Sequence, residues 1–233
     1  SNYGSLLWTT NGDGTFDDAA AEDACYTPGA GDIALGVAEL CLTAEPVDPC
    51  TVAAQECLTL TIQKAPVVEV LDDAAICAGD IFCPDATAAN YAGLLWTAAG
   101  DGAFDDATLE DPCYTPGNID IETGTVELCL TAEPIDPCTV AAIECMTLTI
   151  QAPPSIAPLE DAVICEGETF CVDATAASYS SLLWTTNGDG TFDDADLEDV
   201  CYIPGAGDIA LGVAELCLTA APIDPCSVAA EEC

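Results

Sequence analysis

One unit of 88 residues is written repeatedly into this chain, and the interval never slips. Trp8, Trp96 and Trp184 keep it, and so do Tyr3, Tyr91 and Tyr179. The cysteines follow in register: Cys25, Cys113 and Cys201; Cys41, Cys129 and Cys217; Cys50, Cys138 and Cys226; Cys57, Cys145 and Cys233. Cys77 and Cys83 recur at Cys165 and Cys171. A period of this length is the size of a small all-β domain and far exceeds one turn of a solenoid.

Within a unit, short strand signals alternate with turn chemistry. VVEV (Val67 to Val70) reads as strand A, IFCPDA (Ile81 to Ala86) as B, and YAGLLWTA around Trp96 as C. CYTP at Cys113 reads as E, VELCLTA (Val126 to Ala132) as F, and CMTLTI (Cys145 to Ile150) as G. Gly, Pro and Asp clusters such as AAGDG, TPGNID and AEPIDPC separate them, and no segment carries a long helical period. The expectation is an all-β chain of tandem immunoglobulin-like (Ig-like) sandwiches, each with two facing sheets. QKAP and QAPP interrupt the pattern and set the boundaries. Residues 1–63 then form a partial repeat lacking strands A and B, 64–151 a complete repeat, and 152–233 a repeat lacking most of strand G. A chain cut in this way reads as a window on a longer polymer.

Charge decides which partners are excluded. Against 42 Asp and Glu stands one basic side chain, Lys64, with no histidine, for a net charge of −41. Nucleic acid and anionic membranes both need basic patches, so neither is a partner, and no segment reads as membrane-inserted. Hydrophobic residues nonetheless make up 51% of the chain, which no solvated acidic tail carries. Sixteen cysteines without a C-x-x-C pair or a histidine point to disulfides and an oxidising, extracellular setting.

Alternation along strands tells where each cysteine points. With Val126, Leu128 and Leu130 inward, Cys129 faces outward; with Met146, Leu148 and Ile150 inward, so does Cys145. The same parity puts Cys171 and Cys113 outside. Neighbouring strands F and G, and B and E, then give cross-strand pairs Cys129–Cys145 and Cys83–Cys113, repeated as Cys41–Cys57, Cys217–Cys233 and Cys171–Cys201. The remaining cysteines give Cys77–Cys138 and Cys165–Cys226. A core bridge between sheets, Cys83–Cys129 packed on Trp96, is the alternative left open. Cys25 and Cys50 find no partner within the chain under the cross-strand scheme.

The run ICAGDIFCPDATAANYAGLLWTAAGDGAFDDATLEDPCYTPG, with VELCLTA and MTLTI after it, resembles repeats of giant surface proteins of the Bacteroidota. These are PKD-like or Ig-like adhesins, similar to the mobile gliding adhesin carried by the type IX secretion system. The resemblance covers every copy of the unit and is specific at LLWT, G-x-F-D-D-A and Y-x-P-G. It implies a secreted, cell-surface filament or adhesin serving attachment, gliding or contact with other cells, with neighbouring copies of the chain as partners in a filament or bundle. Family repeats often carry threonine where Cys83, Cys113, Cys129 and Cys145 stand here, so these staples are a departure.

Catalysis has no residues to work with: no histidine is present and no nucleophile–base constellation can be assembled. The chain is therefore not read as an enzyme. Calcium is the one cofactor the sequence suggests. The turn after strand C carries Asp101, Asp105 and Asp106, repeated as Asp13, Asp17 and Asp18 and as Asp189, Asp193 and Asp194, hard oxygen donors spaced by glycines. The EF-hand order and its closing glutamate are missing, so a solvated acidic turn is the competing reading. Asp32, Asp120 and Asp208 read as turn or capping residues. Two functions stand: a structural stalk whose repeats set reach, and an adhesin whose repeats themselves bind a glycan or protein through calcium.

Overall fold

The structure is a computed structural model and describes residues 2–69 and 71–233. Chain contacts gather into two compact units: Ser1–Val68 with Ala88–Leu94 and Thr131–Ile143, and Glu69–Thr87 with Leu95–Leu130 and Glu144–Cys233.

In the first unit, strands Ser5–Thr10, Val37–Glu45 and Ala54–Thr61 form an antiparallel sheet with Val37–Glu45 in the middle. Register sets Trp8 opposite Leu42 and Cys41 opposite Cys57. Ala38 and Leu40 are buried while Val37 and Glu39 are exposed, the period-two pattern of a half-covered sheet. The strand-A reading survives as Val67–Val68, paired with Ala88–Ala89; its last residue, Val70, lies outside the described residues.

The second unit holds a sandwich core that follows from the same alternation. Leu182 and Trp184 project from Tyr179–Thr186 and Leu218 and Ala220 from Leu216–Pro222, meeting Val200 and Ala174 in one buried cluster. The indole Nε1 of Trp184 donates to the Leu197 carbonyl at 3.1 Å, so the ring is buried without an orphaned donor. Phe170–Val172, Val200–Ile203 and Thr191–Phe192 form a further sheet.

Strands Tyr91–Ala98, Thr125–Pro134 and Ala142–Gln151 belong to one four-stranded sheet, completed by Ala74–Cys77. That last strand runs parallel to Ala142–Gln151, with Cys77 opposite Gln151. Met146, Leu148 and Ile150 are buried, and the residues between them are exposed. The proposed B strand is less regular than expected: in Ile81–Ala86 only Phe82 bridges, to Tyr114. Three short helices, α1 (Ala30–Leu35), α2 (Asn118–Thr123) and α3 (Ala206–Leu211), stand where turns were expected.

The cysteines join neighbouring strands. Cys41–Cys57, Cys129–Cys145 and Cys217–Cys233 each span 16 residues, Cys83–Cys113 and Cys171–Cys201 each 30. Their Cα atoms lie 3.9 to 4.2 Å apart, the close spacing of directly opposed residues. The core bridge Cys83–Cys129 is not formed, because both sulfurs are engaged across their own sheets. Two expected pairs need correction. Cys77 is joined to Cys226, not Cys138, and Cys165 is a free thiol rather than the partner of Cys226. Cys77 sits beside Gln151 at the far end of a ten-residue strand whose other end follows Cys138, and such a strand spans about 30 Å. Cys25, Cys50 and Cys138 are the other free thiols.

Candidate functional site

The acidic turns and the helices beside them form one recurring arrangement, clearest around Asp120. Helix α2 is capped by Gly117 before its first residue and after its last by Gly124, whose φ of 78° is the left-handed cap that glycine takes readily. Asp120 is the third residue of the helix and only 2% exposed. Its Oδ2 accepts the Tyr114 hydroxyl at 2.6 Å and the Gly117 and Gly102 N–H groups at 3.0 Å. Its Oδ1 accepts the Asp101 N–H at 3.2 Å. Asp101 returns the bond, its Oδ1 accepting the N–H groups of Ile119 at 3.0 Å and Asp120 at 3.2 Å. Turn and helix are thus clamped from both sides. Asp32 with Tyr26 and Asp208 with Tyr202 repeat the contact, each at 2.6 Å.

Small residues make room for the clamp. A Cβ on Gly100 would collide with the Asp120 carboxylate, and one on Gly102 with the Tyr114 hydroxyl. Beside the tyrosine lies a row of tilted aromatic rings. Phe104 and Tyr114 centroids are 4.9 Å apart, Trp96 and Phe104 5.6 Å, and the Trp96 indole donates to the Glu110 carbonyl at 3.2 Å.

The electrostatics follow from these contacts. Burial would raise the Asp120 carboxyl, but the Tyr114 hydroxyl and the N–H groups of Gly117, Asp101 and Gly102 outweigh it and hold the group below the usual carboxylate range. Asp32 and Asp208 are lowered first by Tyr26 and Tyr202 respectively. Burial, reinforced by the Asp120 charge, pushes the Tyr114 hydroxyl far above its ordinary value.

Every aspartate proposed for calcium accepts backbone N–H groups, either of its own turn or of the helix beside it. Asp13 takes those of Gly31 and Asp32, and Asp189 those of Gly207 and Asp208. Asp105 accepts from Asp106 at 2.7 Å and Cys113 at 2.8 Å; Asp17 and Asp193 accept from the corresponding residues. Asp106 accepts both the N–H and the hydroxyl of Thr108, while Asp18 and Asp194 accept one N–H each, from Ala20 and Asp196. The Cys25 and Cys201 N–H groups lower Asp17 and Asp193, and the Thr108 hydroxyl lowers Asp106. Among the described residues, the groups that bring three donor atoms together are Glu127 with Cys129 and Cys145, and Glu231 with Cys217 and Cys233. Both contain a cystine, which offers no thiolate to a metal. The three aspartates of each turn are not gathered so closely.

Sequence reasoning placed Asp120 in a turn but missed its central role. The signal was the pairing of an inward tyrosine with a Y-x-P-G-x-x-D spacing, which puts hydroxyl and carboxylate six residues apart.

Solved structures share this architecture at low sequence identity. The chain is similar to titin domains I67–I69 in an E-to-A variant, at 12% identity and a TM-score of 0.50, covering 97% of this chain and 86% of that one. It is also similar to the N-terminal eight Ig domains of Down Syndrome Cell Adhesion Molecule, at 12% identity and a TM-score of 0.53, covering 97% of this chain and 36% of that one. The fold is Ig-like. No family model matches the sequence, and no curated protein matches it. Among the described residues no helix is long and apolar enough to cross a membrane.

Proposed function

We propose that the chain is a load-bearing repeat segment of an extracellular surface filament or adhesin, with repeats at 1–63, 64–151 and 152–233. The observation that carries this is the set of cross-strand cystines joining opposed residues in each copy, as at Cys129–Cys145. A strand so tied cannot be peeled from its neighbour without breaking a covalent bond. Six disulfides also fit a place outside the reducing cytosol. The carboxylate clamps support the same reading, since they tie turn to helix and rigidify both. Neighbouring copies of the chain are the proposed partners, and attachment, gliding or cell contact the proposed task, following the resemblance in the repeats.

Single-molecule stretching tests the reading. Oxidised chains should resist and then extend only partway, and thiol reduction should release the stored length. Equal extension with and without reductant would remove the load-bearing role. Electron microscopy of the native material should show periodic filaments; isolated repeats that bind a glycan array tightly would favour the binding adhesin instead.

A further inference from the structure

The three short helices share a backbone and differ in what they show to solvent. Helices α1 and α3 have the sequence AGDIAL, whose only charged residue, Asp32 or Asp208, is buried. Each ends on a leucine left in solvent, Leu35 at 78% exposed and Leu211 at 79%, with Ile33 and Ile209 also exposed. In α2, of sequence NIDIET, Thr123 stands at the leucine position. The turn beside each helix changes in step, Asn11 and Asn187 giving way to Ala99. The side-chain oxygens of Asn11 and Asn187 accept the Glu39 and Glu215 N–H groups at 2.9 and 3.0 Å, a bond the methyl group of Ala99 cannot make.

Both exchanged positions, Ala99 and Thr123, line a cavity beside α2. Its volume is about 250 Å³, and Gly100, Ile119, Val126 and Thr147 complete most of the wall. Small-molecule sites run to about 300–1,000 Å³, so this recess suits a single side chain. One pair of exchanges, leucine for threonine and asparagine for alanine, thus separates repeats that project an apolar side chain from a repeat that offers a recess.

We infer that the exposed leucine of one molecule, Leu35 or Leu211, seats in the recess beside α2 of a second copy of this chain, a contact that rests on the reading of the chain as a filament segment. Each molecule carries a net charge of −41, so two copies meet only where neither crowds ionised side chains and where salt screens the rest. The leucine helices meet that condition, their aspartates being buried. So does the recess: Asp120 is buried and bonded to Tyr114, and among the described residues of the wall Glu127 is the only exposed carboxylate. A basic foreign partner would instead be held by the carboxylates spread over the remaining surface and would need no uncharged patch. Leucine and recess are different surfaces, so the contact is heterologous and continues into rings or open filaments.

Sedimentation equilibrium of the 233-residue chain, its free thiols alkylated, should show reversible association that strengthens as salt rises to saline levels. The substitutions that test the contact install residues another repeat already carries at the same position, and near-ultraviolet circular dichroism should stay unchanged in both variants. Leu35→Thr with Leu211→Thr should weaken self-association about 10- to 100-fold, the loss expected for one buried leucine. Ala99→Asn with Thr123→Leu should weaken it to a similar extent. Mixing the two variants should restore pairing, because the first keeps the recess and the second keeps the leucines. A chain that stays monomeric in saline buffer, association unmoved by either pair of substitutions, or variants that fail to recombine would overturn the docking. Stretching reads single molecules, so a monomer that still lengthens on reduction separates the failure of this contact from a failure of the load-bearing role.

Discussion

At Asp120 the protein keeps a charged carboxylate almost wholly out of water in a chain with a single lysine. Dipoles replace the missing cation: one phenol and three backbone N–H groups point at it. Removing a partner leaves a buried group unsatisfied, which costs roughly 1–3 kcal/mol. Asp120→Asn and Tyr114→Phe should each lower stability by about that amount in denaturant unfolding, and the double variant by less than the sum. The lowered Asp32, Asp120 and Asp208 favour folding above the ordinary carboxylate pKa, about 3.9, and that contribution fades as pH falls through their folded values. Tyr114 is raised, so its contribution is complete below about pH 10 and lost at higher pH. Thermal melts across pH should show both edges, and Asp120→Asn should flatten the acid one. Because the carboxylates of each turn already accept N–H groups of the turn and of the adjacent helix, a calcium chelator should leave the melting temperature unchanged at saline ionic strength. A saturable calcium heat in calorimetry would count against that expectation.

Among the elements, strand alternation was the feature most open to reading. Leu128 and Leu130 alternate with Cys129, and Met146 and Leu148 flank Thr147, so the outward face of both strands follows from side-chain identity alone. The opposed cystines close loops of 16 residues, a constraint on the unfolded chain of about 3 kcal/mol. Replacing Cys129 and Cys145 together by serine should therefore cost up to about 3 kcal/mol in unfolding, whereas losing the exposed Cys25 thiol should cost almost nothing. Other elements were hidden. The six-residue α2 is too short to show a helical period and is set by Gly117, Asp120 and Gly124 rather than by an apolar face. Ala74–Cys77 has no alternation long enough to announce a strand; its parallel alignment beside Gln151 arises from tertiary pairing. The same alignment carried Cys77 away from Cys138, a separation that cysteine counting within one repeat could not reveal.

For the whole molecule, the Ig-like fold was legible because composition, period and turn chemistry all agreed, while the bridge from Cys77 to Cys226 was not, since it joins residues 149 apart in sequence. That bridge gives the chain a tolerance to damage. Everything from Ala78 to Pro225 lies inside a closed covalent ring, so a single peptide bond cut there does not part the chain. Limited proteolysis within this interval should leave one band on a non-reducing gel and two after reduction; two bands without reductant would show the ring open. A chain exposed to proteases can then be nicked anywhere between Ala78 and Pro225 and still hold its two ends together.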